Sequence, residues 1–416
     1  MFGCCRVVRS GTSRNRSQKT RAMRIIPGAC AALFAVKGVR APAQVLASAA
    51  TPFETSRLPR MKLVEELRLV AATEDFSAIR RVSVNRRGSI AVPLPQEFQI
   101  RSYDSTGRRT GAIGRKGAGP GEFQDVSAVS WVGDTLFVFD MGLHRVSYFG
   151  PDNRLLRTVA IPRGLNLTAK TSATDSTIWG FSPFAAFANG EMIGEARLNI
   201  GRTSESSRNV LVAQSSRNTF RLIATPPSYD DERWMMWYSG FGNTVPFVLQ
   251  PQVRWASDGS KIAFLTADQR TNVGKFFVAV HDSGGKLLYE KSFSYRGIPI
   301  PGSVADSAIN ASFPLRVAVL EGPPNSQWQT LAKKRMPATF SLVERIVIGG
   351  DGRTWLTLRA TPSGQEVVVL DARGAPSAVV SLPRNARIEQ TDASQIWVTQ
   401  RDGDGLPSVV RYRMRR

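Results

Sequence analysis

Gly133-Asp134-Thr135-Leu136-Phe137-Val138-Phe139 sets a Gly-Asp turn directly before a run of apolar residues. A strand with one wet face alternates apolar and polar side chains, whereas a strand buried on both faces need not. The run at 136–139 therefore predicts a strand held between two apolar surfaces. Val367-Val368-Val369-Leu370 carries the same signature far downstream. After the first run a second strand, 146–149, leads into the turn Gly150-Pro151-Asp152-Asn153, and a further strand follows at 155–161.

The same rhythm recurs along the chain. Gly or Asp-Gly turns followed by an apolar strand stand at Arg87-Gly88-Ser89-Ile90, Asn189-Gly190-Glu191-Met192, Asp258-Gly259-Ser260-Lys261-Ile262 and Asp351-Gly352-Arg353-Thr354-Trp355, with a weaker copy at 392–397. Such dipeptides supply the positive φ that tight hairpins need. A second turn follows four of these six, at 150–153 and as Tyr103-Asp104-Ser105-Thr106-Gly107, His281-Asp282-Ser283-Gly284-Gly285 and Leu370-Asp371-Ala372-Arg373-Gly374. Strands at 98–103, 276–280 and 367–370 precede these turns, and strands such as 287–293 and 378–382 follow them.

Small antiparallel sheets stacked face to face around an axis bury both faces of their inner strands. The reading is an all-β fold: a six-bladed β-propeller of four-stranded antiparallel blades. Six units over about 350 residues give roughly 58 residues each, longer than the ~40–45 of the commonest blades. Insertions are therefore expected near 225–252 and 294–340. A sandwich or jelly roll would not explain six copies of one turn pattern. The last unit offers strands near 388–390, 396–399 and 409–413 and then stops one strand short. Residues 63–71 read equally as helix or strand; strand is chosen because it closes the ring without an open edge.

Residues 113–123, Ile113-Gly114-Arg115-Lys116-Gly117-Ala118-Gly119-Pro120-Gly121-Glu122-Phe123, resemble the G-x-G-P-G-E-F linker of NHL-repeat, six-bladed propeller proteins. Residues 138–149, from Val138-Phe139-Asp140 through His144-Arg145-Val146 to Phe149, resemble that family's V-x-D-x-x-N-H-R-I-x-x-F strand pair, with Leu143 where the family has Asn. The order of insertions is similar to that of exported bacterial members. The resemblance implies an interblade linker at 114–123 and a turn-bracing pair in Asp140 and Arg145. It covers chiefly the first two blades.

The chain has 416 residues, with 55 Lys and Arg against 33 Asp and Glu, two His and three Cys. Eleven of the basic residues and only one acid, Glu54, lie in residues 1–60. Arg24, the apolar stretch 25–36 and the small-residue sites Ala41-Pro42-Ala43 and Ala47-Ser48-Ala49 read as a secretory signal peptide, too short to span a bilayer. A mitochondrial-type presequence is the competing reading. The expected layout is thus a leader at 1–50, removed or disordered, and one propeller at 51–416, exported to the periplasm or outside the cell. No later segment reads as a transmembrane helix. Cys4, Cys5 and Cys30 all lie in the leader, so the body has no thiol chemistry. With His144 and His281 the only imidazoles, zinc sites and Ser-His-Asp triads are nearly removed.

Each motif admits a structural and a functional reading. The glycines at 114, 117, 119 and 121 lead into strand residues 126–131 rather than a helix, against a phosphate cradle. Asp402-Gly403-Asp404-Gly405 resembles a calcium loop but lacks further oxygen ligands, so a plain turn is expected. The aromatic and acidic stretch 230–238 supplies the only candidate ligand residues, Trp234, Trp237 and Tyr238, beside Met235 and Met236; it reads as a lid packed on the ring or as a cleft lining. Residues 327–335 are helix-compatible before Pro337 and are expected as a packed arm.

No convergent catalytic set, cofactor or metal ligand is legible, although calcium remains open. The leading expectation is a monomeric, exported binding propeller whose partner is an unknown protein or small molecule. The alternatives are a calcium-dependent hydrolase or lactonase, and nonspecific attraction to nucleic acid or anionic surfaces.

Overall fold

The computed structural model describes residues 50–161, 167–168, 176–187, 189–200, 208–215, 219–225, 235–238, 241–314, 324–362 and 364–415. These belong to one compact unit, Val39–Arg416. Residues 1–49 of the leader lie outside them, as do Trp234 and the rest of 226–234.

The chain folds into successive antiparallel quartets, each running outward from its first strand. The first sheet is Ser83–Val84, Ile90–Leu94, Gln99–Tyr103 and Arg109–Ile113, and the second is Val126–Val132, Thr135–Asp140, Arg145–Phe149 and Leu155–Ala160. The third is Ser176–Ala186, Met192–Ile200, Arg208–Gln214 and Phe220–Ala224, with Leu167–Thr168 beside its first strand. The fourth is Gln252–Trp255, Lys261–Asp268, Val273–Asp282 and Leu287–Arg296. Val343–Ile348, Thr354–Leu358, Gln365–Leu370 and Pro376–Leu382 make the next. The last is Arg387–Thr391, Gln395–Arg401, Pro407–Arg415 and, from the start of the chain, Arg60–Val70.

The apolar runs explain how these sheets assemble. Leu136 and Val138 pack toward the first sheet with Ala91, Ile100 and Ile113, while Phe137 and Phe139 pack toward the third with Phe181, Val210 and Val212. Val368 and Leu370 face the fourth sheet, whereas Val367 and Val369 face the last. Ile193 and Leu211 of the third sheet meet Val253 and Ile262 of the fourth. The circuit closes where Leu69, Trp397 and Val409 of the last sheet meet Val82, Ile90 and Val92 of the first. Period-two alternation thus sends consecutive side chains into different interfaces, which is why these strands carry no polar face. The result is a propeller-type arrangement of face-to-face sheets.

The repeated turns have one chemistry. Oδ1 of Asp104, Asp282, Asp371 and Asp402 each accepts the N–H groups two and four residues on. Gly107, Gly285, Gly374 and Gly405 then take φ between 79° and 90°, a region that costs a side chain strain. Asp402 Oδ1 is thereby engaged by its own turn.

Closure matches expectation in kind and differs in extent. Arg60–Val70 pairs antiparallel with Pro407–Arg415, from Lys62 opposite Arg415 to Val70 opposite Ser408. The strand begins earlier than the expected 63–71, and Ala71 already opens the short helix Ala71–Glu74. What the sequence did not reveal is the path before it. Thr51–Pro52 runs parallel beside the outer strand of the fourth sheet, with Thr51 opposite Phe293. Phe53 donates its N–H to Ser294 O at 2.8 Å and sets its ring edge-on to Phe276 at 4.9 Å. Arg60 and Met61 then run parallel beside Val379 and Val380. The segment therefore straps two outer edges before completing a third sheet, the kind of cover that unpaired edges require.

The two expected insertions meet each other. Helices Gly302–Ser312 and Asn325–Arg335 pack with the hairpin Met235–Tyr238/Phe241–Thr244 around Met236, Val245, Ile309, Phe313, Trp328 and Ala332. Gln269, 4% exposed, ties them to the fourth sheet. Its amide donates to Phe247 O at 3.1 Å and Thr339 O at 2.9 Å and accepts from Leu249 N at 2.9 Å. Gln269→Leu would leave these backbone groups unpaired and is expected to cost about 2–4 kcal/mol in urea unfolding, with faster amide exchange in both helices. An unchanged midpoint would refute that clasp. Among the described residues no helix is long and apolar enough to cross a membrane.

Candidate functional site

The linker motif is built as structure. Phe123 is fully buried between the first two sheets, and the Glu122 carboxylate accepts the Gly119 N–H at 2.8 Å and pairs with Arg115 Nε at 2.8 Å. An acid therefore occupies the place a phosphate would need. Asp140, 1% exposed, accepts N–H bonds from Gln124 at 2.8 Å, Asp125 at 3.1 Å and Leu143 at 2.9 Å. Arg145, opposite Asp140 in the ladder, donates to the carbonyls of Ala118, Gly119 and Glu122. The expected bracing pair does hold its own turn, through Leu143, but its main hold is on the linker between two sheets.

Of the candidate ligand residues, Trp234 lies outside the described residues. Trp237 and Tyr238 stand in the Met235–Tyr238 strand opposite Gly242 and Phe241. Their neighbour Met236 is fully buried against the helical insertion, so this stretch is tied to the packed arm.

A concave site forms elsewhere, where the first strands of the sheets end. Those strands touch their neighbours around the axis. Side-chain amides stitch them: Gln390 accepts from Val84 N at 2.9 Å and donates to Val84 O at 2.8 Å, and Gln252 donates to Glu344 O at 2.6 Å. Arg81, just before the first strand of the first sheet, reaches the fourth sheet. Its Nη2 donates to Trp255 O at 2.9 Å and its guanidinium lies 4.7 Å over the Trp255 ring, which stacks on Phe184 at 3.7 Å. Burial pushes this guanidinium down to about 10; Glu389 opposes the shift, and Arg254 and Arg387 add to it.

The turns that follow the first strands enclose a cup of about 250 Å³. Successive sheets contribute Asn85 and Arg86, then Trp131, then Phe187, then Ser257 and Asp258. Asn85 is held rigidly, its Oδ1 accepting from Arg87 N at 3.0 Å and Ser89 N at 2.8 Å. The Trp131 indole N–H donates to Ser83 O at 3.2 Å, which fixes that ring. Arg86 Nη2 lies 3.5 Å from Asp258 Oδ2, with the arginine side chain 90% exposed and the aspartate 28%. Burial pushes the Asp258 carboxyl up, but the Ser260 hydroxyl and N–H and the charges of Lys261 and Arg86 outweigh it and hold it below the usual range. The cup thus carries a loosely paired cation and anion beside two aromatic side chains, Trp131 and Phe187.

Sequence reasoning passed over these residues, although a register signal exists. Trp131, Phe187 and Trp255 stand two to four positions ahead of the turn glycines Gly133, Gly190 and Gly259 in consecutive copies. Among the described residues no three His, Cys, Asp or Glu side chains cluster as a metal site. Several of the arginines are engaged within the fold: Arg80 on Asp125, Arg108 on Asp104 and Arg353 on Asp351.

No family model matches the chain, and no curated protein matches it. Solved structures do. A member of the DUF4221 family from Bacteroides vulgatus aligns over 86% of this chain and 99% of its own at 10% identity, with a TM-score of 0.48. A calcium-binding protein, regucalcin, from Agrobacterium tumefaciens aligns over 88% and 97% at 12% identity and a TM-score of 0.36. Virginiamycin B lyase from Staphylococcus aureus aligns over 85% and 99% at 12% identity and a TM-score of 0.36. The architecture described above rests on this chain's own strand order and interfaces.

Proposed function

We propose that residues 51–416 form a monomeric six-bladed β-propeller of NHL-repeat type, exported by its leader, that binds a small ligand in the cup formed by the first-strand turns. The observation that carries this reading is the convergence of four successive turns on one aromatic-walled cavity with a few fixed polar groups, the usual makeup of a ligand site. The linker bracing by Asp140 and Arg145 supports the NHL-type reading, and the basic, acid-free leader supports export.

Ligand-observed NMR with a small-molecule library tests the cup. Binders are expected with the native chain and should be lost in Ser257→Trp, which fills the cavity from a turn position while leaving circular dichroism unchanged. Binders that survive this change would refute the reading. On this reading calcium leaves Tm unchanged. A calcium-dependent rise reversed by chelation would favour the calcium-dependent hydrolase or lactonase reading over this one.

A further inference from the structure

We propose that the cup takes a small zwitterion, a free α-amino acid with an apolar side chain, its carboxylate on Arg86, its ammonium on Asp258 and its side chain against Trp131 and Phe187. This rests on reading the cup as a binding site and adds the class of ligand.

Charge balance decides the class. Arg86 and Asp258 come from opposite ends of the run of four turns, and their only mutual contact is a loose 3.5 Å ion pair. An anion alone would neutralise Arg86 and face the Asp258 carboxylate, which its hydrogen bonds with Ser260 keep ionised. A cation alone would strand Arg86. A ligand carrying both charges gives Arg86 and Asp258 each a new partner, so the largely buried aspartate is not left unpaired when Arg86 swings away. Arg86 is long and mostly exposed, so it can swing aside without disturbing the turn that anchors Asn85.

Size and walls agree. A cavity of about 250 Å³ lies below the ~300–1,000 Å³ usual for drug-sized ligands, which suits one ring or one branched chain. Trp131 and Phe187 from the two intermediate sheets supply an apolar wall beside the charges. Ser257 and Asn85 are the neutral polar residues of the lining, Asn85 already engaged by its own turn and, at 3.4 Å, by Asp134 Oδ1.

Titration calorimetry with the full chain tests this. The probes are L-leucine, L-phenylalanine and L-tryptophan, then phenethylamine, 3-phenylpropanoate and N-acetyl-L-phenylalaninamide as analogues lacking one or both charges. At least one amino acid should bind, and each charge-deleted analogue should bind about tenfold more weakly or worse, the usual scale for losing one charged contact. Arg86→Ala should weaken the amino acid and the propanoate but not the amine, and Asp258→Asn should do the converse. Analogues as tight as the amino acid would overturn the zwitterion. If they are also lost in Ser257→Trp, the cup itself stands. Failure of all probes, with no binder in the NMR library, would overturn both the zwitterion and the site.

Discussion

A chain lacking residues 51–70 is expected to lose its cooperative thermal transition and to self-associate. Leu69 is 5% exposed, and Phe53, Leu58, Met61, Leu63 and Leu67 pack partly buried against three different core clusters. Full burial of such a side chain is worth about 1.5–3 kcal/mol, so one buried and five half-buried side chains contribute about 5–10 kcal/mol. A whole domain retains only about 5–15 kcal/mol. Removal also bares the ladder groups of Pro407–Arg415 and of the outer strands that Thr51 and Arg60 now cover, which invites edge-to-edge pairing.

Two smaller changes separate closure from strapping. Leu69→Asp places a charge in the interface between the last and first sheets and should cost more than about 3 kcal/mol. Deleting 51–58 alone removes the strap on the fourth sheet but leaves Arg60–Val70 paired on both its sides, so Tm should fall while the transition stays sharp. Calorimetry and gel filtration read all three. A sharp transition in the 51–70 deletion, within a few degrees of the native chain, would show that the ring does not depend on its N-terminal strand.

The contrast between closure and strap shows where the sequence is legible. Leu136-Phe137-Val138-Phe139 declares itself because burial on both faces removes every polar residue, a pattern that one strand carries alone. Asp104, Asp282 and Asp371 declare their turns because an Asx turn is local to five residues. The closing strand was legible only as a deficit of one strand in the last unit. Thr51–Pro52 is two residues long and docks by backbone pairing to residues more than two hundred positions away, so no periodicity could announce it. The cup was opaque for the same reason. Its residues come two or three at a time from four turns, and only the ring brings Arg86 within reach of Asp258. Of the stretch 230–238 only 235–238 are described, and there Met236 is fully buried in the contact between the two insertions.

The linker carries the second large effect. Asp140→Ala is expected to cost about 3–5 kcal/mol, read as a lowered urea midpoint at unchanged slope. The carboxylate is 1% exposed and receives three backbone N–H groups, from Gln124 and Asp125 at the end of the linker and from Leu143 in its own turn. Alanine leaves all three donors without an acceptor, at roughly 1–3 kcal/mol for each buried group that water cannot reach. Asp140→Asn keeps the shape but offers one acceptor oxygen and no charge assistance, so about half the loss should remain. Arg145→Ala acts on the same segment from the other side by freeing the carbonyls of Ala118, Gly119 and Glu122. Because both side chains hold one linker, the double variant should lose less than the sum of the single losses, since either one alone lets the segment detach. Strict additivity would mean that the two residues brace separate structures, and the linker would then owe its path to Phe123 packing alone.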